Sequence, residues 1–249
     1  MTDYKLSQSG LKDWLADDLC LHQWKLKHID HAEQPYNDTF NKGHYFEYLL
    51  INETSKNGEA PKPQYLKDGV TMTKEYRDLT QSAEEAKRIW SELGIEIDCV
   101  GCRMEHGNTK GLFDVVATWN DRKCIIDVKY TETKQTDWRN GWGNPSEKAE
   151  AHIQARHYVK LYHDVHGEWL PFFFFVFGKS GWIKIIKCNV AVDSMEQHQD
   201  MIDGFFPGLR AAESEGFPAL PKFNKCRSCP FFESCEHKAT LPEIETIEI

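Results

Sequence analysis

The stretch from Gly111 to Tyr130 constrains this chain most. Two apolar runs there each carry an acid: Leu112-Phe113-Asp114-Val115-Val116, then Cys124-Ile125-Ile126-Asp127-Val128-Lys129. Asn120-Asp121 between them reads as a turn, so the runs are expected to be neighbouring strands of a hairpin or meander. Residues two apart on a strand share a face. Asp127 and Lys129 therefore project together, and Asp114 can face them from the adjacent strand. Two carboxylates and an ammonium at one end of a buried sheet are costly unless they have a job. A divalent cation and a phosphate would supply one.

The remaining elements follow from periodicity. Ser7-Gln8-Ser9 caps a helix with Leu11, Trp14, Leu15 and Leu19 at helical spacing, running into Cys20. Residues 37–51 form a second helix, on which His44 and Glu47 lie three apart and share a face. Residues 52–70, rich in Asn, Lys, Gly and Pro, read as a surface loop. An amphipathic helix over 73–93 ends at Gly94, and Ile95 to Val100 is a strand. Asn144-Pro145-Ser146-Glu147 opens a helix that stops at Gly167. Leu170–Phe177 and Trp182–Cys188 are strands around the turn Gly178–Gly181. A last helix spans 193–216, with Pro207 expected to break or kink it.

Composition bounds the rest. With 249 residues, 40% of them hydrophobic, the chain can bury a sizeable core as one domain with appendages. A net charge of −9 argues against nonspecific coating of nucleic acid, but leaves room for a local basic groove. Met1–Lys5 has no apolar core, and Leu170–Phe177 is too short to span a bilayer. Eight cysteines without a leader point to a reducing compartment, where metal binding is expected ahead of disulfides. Cys99 and Cys102 straddle a strand end and are read as structural thiols rather than ligands. The polar loop 131–144 carries Lys134, Trp138, Arg139 and Trp142. Its tryptophans and cations could stack on unpaired bases and touch phosphates, or the tryptophans could pin the loop to the core.

Phosphodiester hydrolysis needs a placed water and charge neutralisation, which carboxylates holding Mg²⁺ or Mn²⁺ supply. Asp114, Asp127 and the carbonyl of Val128 are candidate ligands, with Glu47 adding a carboxylate and Lys129 orienting the water. Asp114 followed after twelve residues by Asp127-Val128-Lys129 resembles the PD-(D/E)XK nuclease signature. Gly111-x-x-Asp114, Asp127-x-Lys129-Tyr130-Thr131 and Gln154-x-x-x-Tyr158 resemble its RecB-like branch. Gly43-x-x-x-Glu47 resembles the first motif of these exonucleases, with His44 as second choice to Glu47.

Cys226-x2-Cys229-x5-Cys235 clusters three thiolates, which suit iron–sulfur clusters and zinc alike. The resemblance to CRISPR-associated exonucleases implies that Cys20 joins them around a [4Fe–4S] cluster, with Zn²⁺ the alternative. Such a staple would close a loop of about 200 residues and restrict the unfolded chain.

The resemblance implies an α/β fold: a restriction-endonuclease-like core, a central mixed sheet flanked by helices, and terminal segments joined by the cluster. One nuclease domain would cover 1–249. Residues 1–36 hold the N-terminal helix with Cys20, 37–190 the core with a helical insertion at about 52–98, and 191–249 the C-terminal helix and Cys-rich segment. The expected activity is a metal-dependent DNA exonuclease of phage or mobile-element type, acting on single-stranded DNA or free ends. Gln154 and Tyr158 would contact DNA or support the site. An endonuclease of the same superfamily, or an inactive DNA-binding iron–sulfur module, are the alternatives. No membrane partner is expected, and the expected location is the cytoplasm of a bacterium or phage-infected host.

Overall fold

A computed structural model describes residues 4–52, 60–133, 142, 149–179 and 181–238. Twelve elements follow in order: α1 (Gln8–Trp14), α2 (Leu21–His28), α3 (Asp38–Ile51), α4 (Lys74–Glu92), β1 (Glu96–His106), β2 (Thr109–Trp119), β3 (Arg122–Thr131), α5 (Ala149–His166), β4 (Phe172–Gly178), β5 (Ile183–Cys188), α6 (Val192–Ser214) and α7 (Phe223–Ser228). The chain divides into two compact units. One holds Lys5–Gln8 and Asn37–Asp200; the other holds Ser9–Tyr36 and the residues from Met201 onward.

The larger unit is built on a five-stranded sheet in the order β1-β2-β3-β4-β5. β3 and β4 pair in parallel and every other pair is antiparallel. The parallel step needs a crossover, and α5 lies in it. Asn120 and Asp121 both take positive φ, 52° and 57°, as a two-residue type I′ hairpin turn requires.

Strand alternation divides the core between the two faces. Phe172, Phe174 and Val176 join Ile125 and Tyr158 on one face, while Phe175 and Phe177 join Ile126 and Val128 on the other. Each fully buried phenylalanine contributes about 1.5–3 kcal/mol, so this aromatic strand anchors both layers. α3 and α4 cover the second face, where Tyr76, Leu79, Ala83, Ala86 and Trp90 of α4 are buried. The helix read as part of an insertion is therefore a structural layer of the core. Among the described residues, no helix is long and apolar enough to cross a membrane.

Several local expectations are corrected. Cys99 and Cys102 are joined as a disulfide. In a regular strand residues three apart face opposite ways, but Gly101 between them takes φ +60° and the register shifts between Ile97 and Cys99. α6 runs through Pro207 unbroken. Proline removes one ladder bond, and burial of Ile202, Phe205 and Leu209 around it holds the helix together. The first helix ends at Trp14, and Cys20 stands at the N-cap of α2 rather than inside a helix. The capping sequence 144–147 lies outside the described residues.

Candidate active site

The site forms where β2 and β3 part. Their ladder runs from Trp119–Arg122 to Val115–Ile126 and stops one rung short of Asp114 and Asp127, while β3 continues along β4 to Thr131. The gap is bridged by a side chain: Asp114 Oδ2 accepts the Val128 N–H at 2.8 Å. Alternation also breaks here. Phe113 and Val115, two apart, pack on opposite faces of the sheet. On β1, the left-handed Gly101 lies between Val100 and Cys102, which pair with Val115 and Phe113 on either side of Asp114. Irregularity on both strands thus surrounds the first carboxylate.

Asp127 and Lys129 share the face covered by α5, as their spacing requires, and Lys129 Nζ lies 2.5 Å from Asp127 Oδ2. Gln154 of α5 donates its amide N–H to Asp127 Oδ1. Asp127 is 1% exposed, and its Oδ2 is held in the ion pair with Lys129.

Burial dominates the electrostatics. It pushes the Asp127 carboxyl up to about 7, and the neighbouring Asp114 adds to the rise against the pull of Lys129. Asp114 is also raised by burial, opposed by Lys129, the Val128 N–H, a hydrogen bond with Asp127 and the charge of His44. Burial pushes the Lys129 ammonium down, but Asp127, Asp114 and Glu47 outweigh it and the net shift is upward. Lys129 therefore stays charged. Both residues considered on α3 are within electrostatic reach of these groups: His44 is felt at Asp114 and Glu47 at Lys129.

Gln154 and Tyr158, one turn apart on α5, are hydrogen-bonded to each other, and Tyr158 is raised by burial, then by Asp127 and Asp114. Its ring stacks on Phe113 at 4.7 Å. That approach needs Gly111, where an added Cβ would lie 2.9 Å from Leu161 Cδ2 and 3.3 Å from Tyr158 Cε1. The glycine of the Gly-x-x-Asp pattern is a packing requirement.

Lys42 was not singled out by sequence reasoning, though it shapes the site. It is buried and meets Asp38 at 2.8 Å, Glu75 at 2.9 Å and Glu132 at 3.3 Å, tying α3 to α4 and to the end of β3 beyond Lys129. The available signal was the Asp38/Lys42 spacing of four on a helix. Trp138 and Arg139 lie outside the described residues. Trp142 is 8% exposed and packs against Phe174, so it belongs to the core rather than to a surface that could stack on bases.

In the smaller unit, Cys20, Cys226, Cys229 and Cys235 line one pocket beside Phe231 and Pro221. Burial raises the Cys229 thiol, and Cys20, Cys235 and Cys226 each raise it further, so the four sulfurs are electrostatic neighbours. As the side chains stand, no three His, Cys, Asp or Glu among the described residues converge tightly enough to grip an ion.

Residues 20–236 match the model of the PD-(D/E)XK nuclease superfamily, and the chain belongs to that superfamily. As a member it is a nuclease, a hydrolase of phosphodiester bonds. A candidate exonuclease from Eubacterium rectale is similar in structure, with a TM-score of 0.66 and 18% identity over 98% of this chain and 91% of that one. The alkaline exonuclease LHK-Exo from Laribacter hongkongensis is similar with a TM-score of 0.51 and 10% identity, over 84% of this chain and 90% of that one. At such identities the likeness establishes the fold: an α/β restriction-endonuclease-like core around a mixed five-stranded sheet. No curated protein matches the sequence.

Proposed function

We propose that the protein is a metal-dependent DNA exonuclease whose centre is Asp114, Asp127, Lys129 and Glu47. The carrying observation is the electrostatics of the pocket. Asp114 and Asp127 lie buried side by side with the Lys129 ammonium beside them and Glu47 and His44 in the same field, and Asp127 and Asp114 are both forced toward protonation. A divalent cation would favour both as carboxylates, and Asp127 Oδ2, which meets Lys129 at 2.5 Å, has a further lone pair to offer it. The donor set is all oxygen, which suits Mg²⁺ or Mn²⁺. Asp114, Asp127, Glu47 and the Val128 carbonyl would hold the ion. Bound there, it would supply Lewis-acid stabilisation of the phosphoryl oxygens.

The chain's own groups account for the remainder. Lys129, held as an ammonium, donates to the attacking water and offsets charge developing on the phosphoryl group. Gln154 fixes the Asp127 carboxylate through Oδ1, while Oδ2 meets Lys129. Tyr158 holds Gln154 in turn. Both similar structures named above are described as exonucleases, which supports end-directed cleavage.

The four cysteines lining one pocket support a structural [4Fe–4S] cluster in the smaller unit. Four clustered thiolates are the ligand set such a cluster takes, and zinc is the competing occupant.

The test uses end-labelled linear DNA, single- and double-stranded, beside a closed circle, with Mn²⁺. Linear DNA should shorten from its ends, the circle should survive, and Asp127→Ala should be inactive. An active Asp127→Ala, or cleavage of the circle at the same rate, refutes the reading. Protein purified without oxygen should be brown and contain iron; colourless protein with stoichiometric zinc overturns the cluster.

A further inference from the structure

Among the described residues Phe40 is the most exposed aromatic, ahead of Tyr36, Trp169 and Tyr65. Phe40 is 67% exposed, yet it sits in the first turn of α3, a helix whose opposite side is packed into the core. At 3.6 residues per turn, Phe40, His44 and Glu47 fall within about 60° of arc. Buried Lys42, Tyr45 and Phe46 occupy the other side, and buried Ile51 closes the Phe40 stripe one turn beyond Glu47. His44 and Glu47 act on Asp114 and Lys129, so the face carrying Phe40 borders the reacting centre. Along the axis, Phe40 lies about 6 Å from His44 and about 10 Å from Glu47, one or two nucleotides away.

The backbone that carries the ring is anchored. Asn37 caps α3 by accepting the Phe40 N–H at 3.3 Å, and Lys42 two residues on ties the helix to three carboxylates. Beside it, a Cβ added at Gly43 would meet nothing within 4 Å, so the helix surface next to the ring is open.

The surroundings fit a polyanion. The segment pinned to this end of α3, through Asn41 Nδ2 to the Lys62 carbonyl at 3.1 Å and Gln64 Nε2 to Asp38 Oδ1 at 2.9 Å, carries exposed Lys62, Tyr65 and Lys67. The acids nearby are engaged: Asp38 and Glu75 by Lys42, and Asp68 by the backbone N–H groups of Val70 and Thr71.

We propose that Phe40 is a base-stacking residue that grips an unpaired nucleobase of the DNA strand one or two nucleotides from the scissile phosphate, which selects single-stranded or frayed ends. This rests on the nuclease reading above. A ring in water that gains a base on its face recovers buried area and π-stacking whatever the sequence, since every base has a π-face. A paired base inside a duplex offers no such face, and from that difference the selectivity follows.

The test compares wild type, Phe40→Ala and Phe40→Trp on a fluorescein-labelled single-stranded oligonucleotide. Affinity is measured with Ca²⁺ in place of Mn²⁺ to prevent turnover, and KM and kcat with Mn²⁺. Phe40→Ala should weaken binding about 5- to 150-fold, the range of one lost base stack, and raise KM with little change in kcat. Phe40→Trp should bind at least as tightly as wild type. A single abasic position walked along the oligonucleotide should weaken wild type at one place and leave Phe40→Ala indifferent there. Because Phe40 is exposed, all variants should melt together. Wild-type affinity in Phe40→Ala, or the same abasic profile in both proteins, overturns the inference while leaving the nuclease reading intact. A wild-type protein that cuts no DNA removes the reading itself.

Discussion

The buried acid pair makes a prediction that opposes ordinary intuition about charged residues. In metal-free protein, Asp127→Asn should raise stability at pH 8 while abolishing cleavage. A carboxyl whose folded pKa lies above its unfolded value holds an extra proton in the native state. Its favourable contribution is complete at low pH and is lost as pH rises through the folded value. For Asp127 that window runs from the ordinary 3.8 to about 7, and Asp114, raised by burial, acts in the same direction. About three units at 1.36 kcal/mol each set an upper bound on the order of 4 kcal/mol for the penalty above pH 7. Asparagine removes that penalty but also removes a partner of Lys129, which keeps Asp114 and Glu47. The net gain expected at pH 8 is therefore on the order of 2 kcal/mol.

The comparison must be a difference between the two proteins. His157 and His198, buried against each other with Nδ1 and Nε2 3.4 Å apart, are pushed down by burial to about 4 and about 3. They stabilise the fold above the ordinary 6.5 and lose that contribution as pH falls, so they give an opposite slope in both proteins. Urea unfolding in chelator at pH 5, 6, 7 and 8, read by tryptophan fluorescence, should show the variant's advantage growing with pH by up to about 1.4 kcal/mol per unit. Mn²⁺ at about one hundred times its dissociation constant should then stabilise wild type by about 2.7 kcal/mol and leave the variant behind. A difference that is flat or shrinks as pH rises refutes the account of the pocket.

Two glycines separate packing from substrate path. Gly111→Ala places a methyl 2.9 Å from Leu161 Cδ2 and against Tyr158; it should cost about 1–3 kcal/mol in urea unfolding and lower kcat by displacing Gln154. Gly43→Ala enters open space within a helix and should stabilise the protein by about 0.5–1 kcal/mol. Its cleavage of DNA should nonetheless fall, because the added methyl stands where a bound strand would pass. Undiminished cleavage would remove this face of α3 from the path.

Much of this site was legible before any coordinates. The spacing from Asp114 to Asp127 and Lys129, the Gln154/Tyr158 pair and the Gly43/Glu47 pair are short-range patterns, and strand and helix periods are enough to predict which side chains share a face. The placement of Trp142 was not legible in that way. Trp142 and an exposed tryptophan look alike in sequence, and only Phe174 across the core separates them. The same holds for α4: its amphipathic pattern predicts a helix, but its function as a layer over Ile126 and Phe175 depends on strands that are distant in sequence.

The sequence by itself determined the chemical inventory: two acids and a lysine at strand spacing, a glutamate four residues after a glycine, and four cysteines at the two ends of the chain. Local periodicity and residue type carry that information without any tertiary contact. Only the tertiary structure decided how those groups feel one another. Parting β2 from β3 at Asp114 lets one carboxylate cap Val128 and lie beside another. Laying α5 over that gap brings Gln154 to Asp127, and turning α3 toward it brings His44 and Glu47 into the same field. Desolvation and Coulomb energy depend on distance and burial, not on position along the chain. That is why the buried acid pair calling for a cation emerges only from the fold.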